Sequence, residues 1–95
     1  MEKLVIIKKV FPMQERTYND HNGQQQIFAS RGFILSDGID TFYAEMVGDT
    51  ARANAQTVFP TDQLVAAQCT IVQRTWKDSQ GVERYSNDIR INKLA

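Results

Sequence analysis

Two long strand-type runs close the chain, Leu64–Lys77 and Val82–Leu94, joined by the turn residues Asp78-Ser79-Gln80-Gly81. Typical strands have about 5–6 residues. Strands this long in a small chain must bend hard or close on one another, because an open edge leaves rows of unpaired N–H and C=O groups. The rest of the chain follows the same pattern. Lys3 to Tyr18 holds the β-branched run Val5, Ile6, Ile7 and Val10, with Pro12 marking an edge or a bulge. Asn19-Asp20-His21-Asn22-Gly23 is a dense turn signal. Gln25 to Leu35 reads as a second strand with Gly32 as a bulge or bend, and Asp37-Gly38 as the next hairpin turn. Ile39 to Val47 is a third strand, with Phe42, Ala44 and Met46 on one face and Tyr43, Glu45 and Val47 on the other.

Gly48 breaks the alternation. Asp49-Thr50 is expected to cap a helix of about two turns through Ala51–Gln56, which is too short to stand alone and must dock on the sheet. The order is strand, strand, strand, helix, strand, strand. The expected fold is therefore all-β: a five-stranded Greek-key β-barrel with one short helix, the OB-fold. Residues 1–95 carry no linker, repeat or composition shift and read as one domain.

The residue types exclude several function classes. An apolar fraction of 42% and a charged fraction of 23% are those of a folded chain. One cysteine and one histidine cannot make an internal disulfide or an ordinary four-ligand zinc site, so no metal or cofactor is expected. Cys69 lies mid-strand with the parity of Ile71, which predicts a buried, inert thiol, and His21 falls in a turn. Asp37 and Asp40 flank a turn, where the carboxylate of Asp37 suits bonds to the local backbone better than a cation. No glycine-rich phosphate loop is present. No catalytic residue emerges, and the chain reads as a non-enzyme. The apolar cluster Leu4–Ile7 is stopped by Lys8-Lys9, too early for a signal peptide or a membrane span, so a cytoplasmic protein is expected.

Eleven cations and eleven anions cancel, but not evenly. Lys3, Lys8, Lys9 and Arg16 stand near one end against Glu15; Arg74, Lys77, Arg84, Arg90 and Lys93 near the other against Asp78, Glu83 and Asp88. Ends lying side by side would make one basic face on a neutral protein. Single-stranded nucleic acid needs aromatic faces for its bases and cations for its phosphates. Trp76 has Arg74 two residues before it, on the same strand face, with Lys77 at the turn and Arg84 and Tyr85 across it. Tyr43 faces outward on the third strand by its parity against Ala44 and Met46. Lys8 adds a cation from the first strand. The candidate nucleic-acid-binding set is Trp76, Arg74, Lys77, Arg84, Tyr85, Tyr43 and Lys8. The plainer reading of the hairpin is a Trp76–Tyr85 cross-strand pair that only stabilises it. Phe28 and Phe33 have opposite parity, and whether Gly32 resets the register decides which faces a ligand.

The segment Arg74-Thr-Trp76-Lys-Asp78-Ser-Gln-Gly81-Val-Glu-Arg84-Tyr85 resembles the fourth-to-fifth strand hairpin of bacterial-type single-stranded DNA-binding proteins, which carry R-x-W-x-D-x-x-G-x-x-R-Y or close to it. A weaker likeness extends over nearly the whole chain. The resemblance implies an OB-fold that binds single-stranded DNA, or RNA, with little sequence preference, in replication or repair. It places Trp76 at a base-stacking position and Arg74, Lys77 and Arg84 in the hairpin that tracks the backbone. It also implies a homo-dimer or homo-tetramer. Lys8 and Cys69 stand where the family usually has glycine, and Thr41 and Val47 where its third-strand aromatics would fall. The acidic tail by which many such proteins recruit partners has no counterpart after Ala95. The alternative is an OB-fold protein–protein interaction module of a replication or mobile-element assembly.

Overall fold

The expected first strand is two strands. In the computed structural model, which describes Met1–Ala95, β1 (Glu2–Val10) and β2 (Gln14–Asn19) are separated at Phe11-Pro12-Met13. Proline has no N–H to give a ladder, and the break falls around it. β3 (Gln25–Ser36), β4 (Thr41–Val47), a helix α1 (Gly48–Ala53), β5 (Leu64–Lys77) and β6 (Glu83–Leu94) follow. The protein is all-β with one short helix. Its strands lie in the order β1-β5-β6-β4-β3-β2, and β1 also pairs with β3. All ladders are antiparallel except the single bridge Glu45–Arg90 between β4 and β6.

β1 serves two neighbours. Glu2 to Ile6 pair with β5, and Ile6 to Val10 pair with β3 across a register shift between Ile7 and Lys9. The bulge of this sheet region is thus at Lys8, not at Gly32. Gly32 sits in an unbroken ladder opposite Glu45. β3 therefore keeps one parity from end to end. Ala29, Phe33 and Leu35 enter the core, and Gln26, Phe28, Ser30, Gly32 and Ile34 take the other face.

The core is small: Val5, Ile7, Ala29, Phe33, Leu35, Ala44, Met46, Ala51, Ala67, Cys69 and Ile91. Ala44 and Met46 are buried and Tyr43 is exposed, as the alternation of the third strand predicts. Cys69 is buried too, and burial pushes its thiol pKa up, so it stays protonated and inert. Ile71, on the same side of β5, is exposed, although Ile89 opposite it packs against the core.

The helix differs from expectation at both ends. It begins at Gly48 with Val47 in the capping position and no side-chain cap, and its regular part stops at Ala53. Asp49 lies inside it and pairs with Arg52 at 3.3 Å. A single buried residue, Ala51, docks it on the sheet.

Three hairpin turns share one device. The Oδ1 of Asp20 accepts from the N–H groups of Asn22 and Gln24, and that of Asp78 from Gln80 and Val82; each turn closes with glycine at positive φ, Gly23 or Gly81. Asp37 Oδ1 likewise accepts from Ile39 and Asp40, and its Oδ2 pairs with Lys3 at 3.0 Å. Its carboxylate is a turn-former. These bonds, first of all those from Gln24, Asp40 and Val82, hold all three carboxyls below the usual carboxylate range. A folded-state pKa below the unfolded value of about 3.9 means the unfolded chain takes up protons first. The stabilisation is complete above that value and is lost as pH falls through the folded-state values. The melting temperature should be flat from about pH 7 to 5 and fall below about pH 4. An unchanged melting temperature down to pH 3 would show that the turns do not depend on ionised carboxylates.

Candidate nucleic-acid interface

Register decides which hairpin side chains share a face. Trp76 pairs with Arg84, Arg74 with Ser86 and Val72 with Asp88, so these six lie on one face. Lys77 pairs with Glu83 and Thr75 with Tyr85, on the other. The hairpin thus brings Trp76, Arg74 and Arg84 together and leaves Lys77 and Tyr85 behind them. No Trp76–Tyr85 cross-strand pair exists. The Tyr85 hydroxyl donates to Glu83 at 2.8 Å, which raises its pKa. Lys8 is remote from the hairpin: Ile6 pairs with the first residue of β5 and Trp76 is its last but one. Lys8 instead stands 3.7 Å from Asp62.

Trp76 is 46% exposed, with the Arg74 guanidinium 5.8 Å from its ring centroid. The indole is an open stacking surface backed by a cation. Both arginines beside it hold carboxylates, Arg74–Asp88 at 2.7 Å and Arg84–Asp78 at 3.0 Å. The arginine side chains are more than half exposed, whereas Asp88 and Asp78 are 19% and 23% exposed, so each guanidinium is held on one side and keeps an edge open to solvent. Arg90 leans on Asp88 at 3.5 Å. Ser86 Oγ and Arg90 Nε, both on this face, are secluded polar atoms with no protein partner.

The face continues onto β4. Glu45 is in register with Arg90, so Tyr43 stands beside Asp88, and a shallow groove lined by Tyr43, Glu45, Arg74 and Asp88 joins them. Thr41 and Val47 share this outward face with Tyr43. The Tyr43 ring lies across Gly32 and tilts against Phe11 at 6.1 Å between centroids. Burial, and then Glu45, push its hydroxyl pKa up, while Arg16 pulls it down. Gly32 is glycine for this reason: a Cβ there would sit 2.8 Å from Cε2 and Cζ of Tyr43. Gly32→Ala should swing the ring out into solvent and bring the Tyr43 hydroxyl pKa back toward about 10. Aromatic NMR shifts of Tyr43 followed against pH would report this, and an unmoved titration would show that the ring does not rest on Gly32.

Phe33 is fully buried and Phe28 is 39% exposed, on the same face as Tyr43. The basic face expected from the two chain ends is largely neutralised. Six of the eleven cations, Lys3, Lys8, Arg52, Arg74, Arg84 and Arg90, stand in ion pairs.

Arg31 carries no signal in the sequence beyond its charge. It points inward between Ala29 and Phe33. Its Nε donates to the Phe11 carbonyl at 3.0 Å, and Nη1 donates to the carbonyls of Asn54 and Thr57 at 2.5 and 2.8 Å. Its guanidinium carbon lies 5.3 Å from the Phe59 ring centroid and 5.8 Å from that of Phe33. Arg31 thus ties the β1–β2 bend to the end of the helix and the loop leading to β5.

Comparison with protein-family models and with curated proteins finds no match in either. No group of three or more histidine, cysteine or acidic side chains is placed to hold a metal, and no helix is long and apolar enough to cross a membrane.

Proposed function

We propose that this protein is a non-enzymatic, sequence-tolerant binder of single-stranded nucleic acid, built on an OB-fold of the bacterial single-stranded DNA-binding type. The observation that carries the reading is the half-exposed Trp76, backed by Arg74, faced by Arg84, and continuous across the sheet with Tyr43. Stacked bases need an accessible π-face with a cation at hand, and every base has a face to offer, so such a surface binds without choosing sequence. Support for the OB-fold comes from the pairing scheme. β1 joins both β3 and β5, α1 lies between β4 and β5, and taking β1 and β2 as one bent strand restores the order of five strands and a helix. On this reading DNA rather than RNA is the first ligand to try, with replication or repair as the setting.

The deciding experiment is a titration with oligo-dT at about 50 and about 200 mM salt, following the fluorescence of the single tryptophan. Saturable quenching that weakens with salt is the expected result. An absence of binding at both salts, in this and in an affinity assay on labelled oligonucleotide, would overturn the proposal.

The homo-oligomer that belongs to this reading has one observation in its favour. The outer face of β1 and β5 exposes Leu4 and Leu64, 62% and 64% accessible, with Ala66 opposite Leu4. A second copy of the chain is the occupant proposed for this face, giving a homo-dimer or a homo-tetramer. Sedimentation equilibrium of the protein and of Leu4→Glu tests it: a monomeric wild type removes this part of the proposal.

A further inference from the structure

We propose that the groove between the β1–β2 bend and the loop from α1 to β5 is a docking site for a short acidic peptide of a partner protein, one that carries aliphatic side chains between its carboxylates. The groove has a volume of about 590 Å³. Its apolar wall is Val10, Phe11, Ala55, Val58 and Phe59, and its cations are Lys8, Lys9 and Arg31. No carboxylate lines it. On a chain with eleven cations and eleven anions, three cations with no anion among them make a local field that selects the sign of the ligand. The groove shares no lining residue with the one that joins Tyr43 to Arg74, and its proposed ligand does not depend on the nucleic-acid reading.

Each cation is available. Lys9 makes no ion pair, and its ammonium rests 4.9 Å from the Phe11 ring centroid. Lys8 meets Asp62 at 3.7 Å, with both side chains exposed, a contact that solvent screens. Arg31 uses Nε and Nη1 on backbone carbonyls; its Nη2 has no partner and is not a secluded atom, so it stays open to a carboxylate oxygen. The register shift between Ile7 and Lys9 inserts one residue. Two adjacent lysines thereby reach one groove, where strict alternation would send them to opposite faces.

The apolar wall decides between two kinds of anion. No tyrosine or tryptophan lines the groove. Phe59 packs edge to face on Phe33 and lies under the Arg31 guanidinium, and Phe11 carries the Lys9 ammonium. Bases thus find no open stacking platform. Val58 is 92% exposed, more than any other large apolar side chain, and nothing in the fold covers it. It gives an aliphatic side chain apolar area to bury, with cations beside it for the flanking carboxylates. Both walls are fixed in advance: Arg31 bonds to each, and the Asp62 N–H donates to the Ile7 carbonyl at 2.9 Å. A site that is already ordered loses less entropy when it binds.

The probe is a fluorescein-labelled peptide, EELLEE, with QQLLQQ and EEGGEE as controls, titrated into the intact protein without nucleic acid. EELLEE should bind with a dissociation constant below about 1 mM and shift the amide signals of residues 8–12 and 55–61. Binding should weaken as salt rises from about 50 to about 200 mM. Each control should bind about tenfold more weakly or not at all. Val58→Asp, which puts a carboxylate on the apolar wall, should weaken EELLEE about tenfold, and Lys9→Gln about 2- to 5-fold. Both side chains are exposed, and unchanged melting temperatures show that the variants are folded. Lack of binding up to about 1 mM overturns the proposal. So does equal binding of EELLEE and either control: with EEGGEE the site is a bare charge, with QQLLQQ a bare apolar patch. Displacement of EELLEE by oligo-dT, with Val58→Asp weakening both ligands, would give the groove to nucleic acid instead. A wild-type protein that binds EELLEE and no oligonucleotide sinks the proposed function and leaves this inference standing.

Discussion

On the proposed function, replacing Trp76 with alanine should weaken binding of oligo-dT by about 1–3 kcal/mol, the range for one base stacked on one aromatic. Trp76 stands at the end of β5, 46% exposed, touching Arg74 rather than the core. Its removal therefore costs the fold little, and the loss appears in affinity. Trp76→Ala removes the only tryptophan, so affinity is read from the anisotropy of a labelled oligonucleotide. Trp76→Phe keeps a π-face and should recover part of the loss. Arg84→Gln, which removes a cation from the same face, should lower the salt slope by about 0.7, whereas Lys77→Ala, on the opposite face, should leave it unchanged. Unaltered affinity in Trp76→Ala would move the site off this hairpin. A slope that responds to Lys77 and not to Arg84 would place the ligand on the face of Tyr85.

Arg31→Ala destabilises the protein by about 2–4 kcal/mol, a fall of about 10 °C or more in melting temperature for a domain of this size. The guanidinium satisfies three carbonyls, from Phe11, Asn54 and Thr57, and no carboxylate stands within ion-pair distance of it. A helix end carries orphan carbonyls and partial negative charge, which suits a cation placed against them. Alanine takes the guanidinium donors away from these carbonyls, leaving Asn54 only the Thr57 N–H at 3.3 Å, and removes a flat group resting on Phe33 and Phe59, whose rings pack edge to face at 5.2 Å. Arg31→Lys should fail to restore stability, because one ammonium cannot reproduce the planar fork that serves carbonyls in different directions. Urea midpoints of the three proteins test this, and hydrogen exchange should show protection lost first between residues 54 and 63. Equal stability of the lysine variant and the wild type would reduce Arg31 to a point charge.

Much of the fold is legible because it depends on near neighbours. Asp78 and Gly81 specify their turn whatever the rest of the chain does: the carboxylate finds N–H groups two and four residues on, and glycine takes the positive φ. The alternation of Phe42 to Val47 predicts which side of β4 is buried, since successive side chains must point oppositely. The exposed setting of Trp76 follows from its place beside a turn and between polar residues.

What was not legible depends on register or on distant partners. A shift of one residue moves a strand's side chains to the other face. Tyr85, one residue beyond Arg84, is therefore carried away from Trp76, and Phe28 rather than Phe33 is exposed because β3 runs through Gly32 without a bulge. Gly32 looks like a bend in the chain and is a resting place for Tyr43, a residue on another strand. The helix cap expected at Asp49-Thr50 yields to a start at Gly48, where the positive φ of the glycine lets the chain turn directly out of β4.

The amino-acid sequence by itself determined the strands after the first turn, the three hairpin turns, the burial of Cys69 and the motif that makes the β5–β6 hairpin a candidate site. These follow from alternation and turn chemistry acting over a few residues. Only the tertiary structure decided that Trp76, Arg84, Tyr43, Arg16 and Phe28 share one face while Lys8, Lys77 and Tyr85 do not, and that Arg31 joins three segments. Those facts come from ladder register and from contacts between residues far apart in the chain, where one unpaired residue at Lys8, or one ring over Gly32, redirects what a local pattern would suggest.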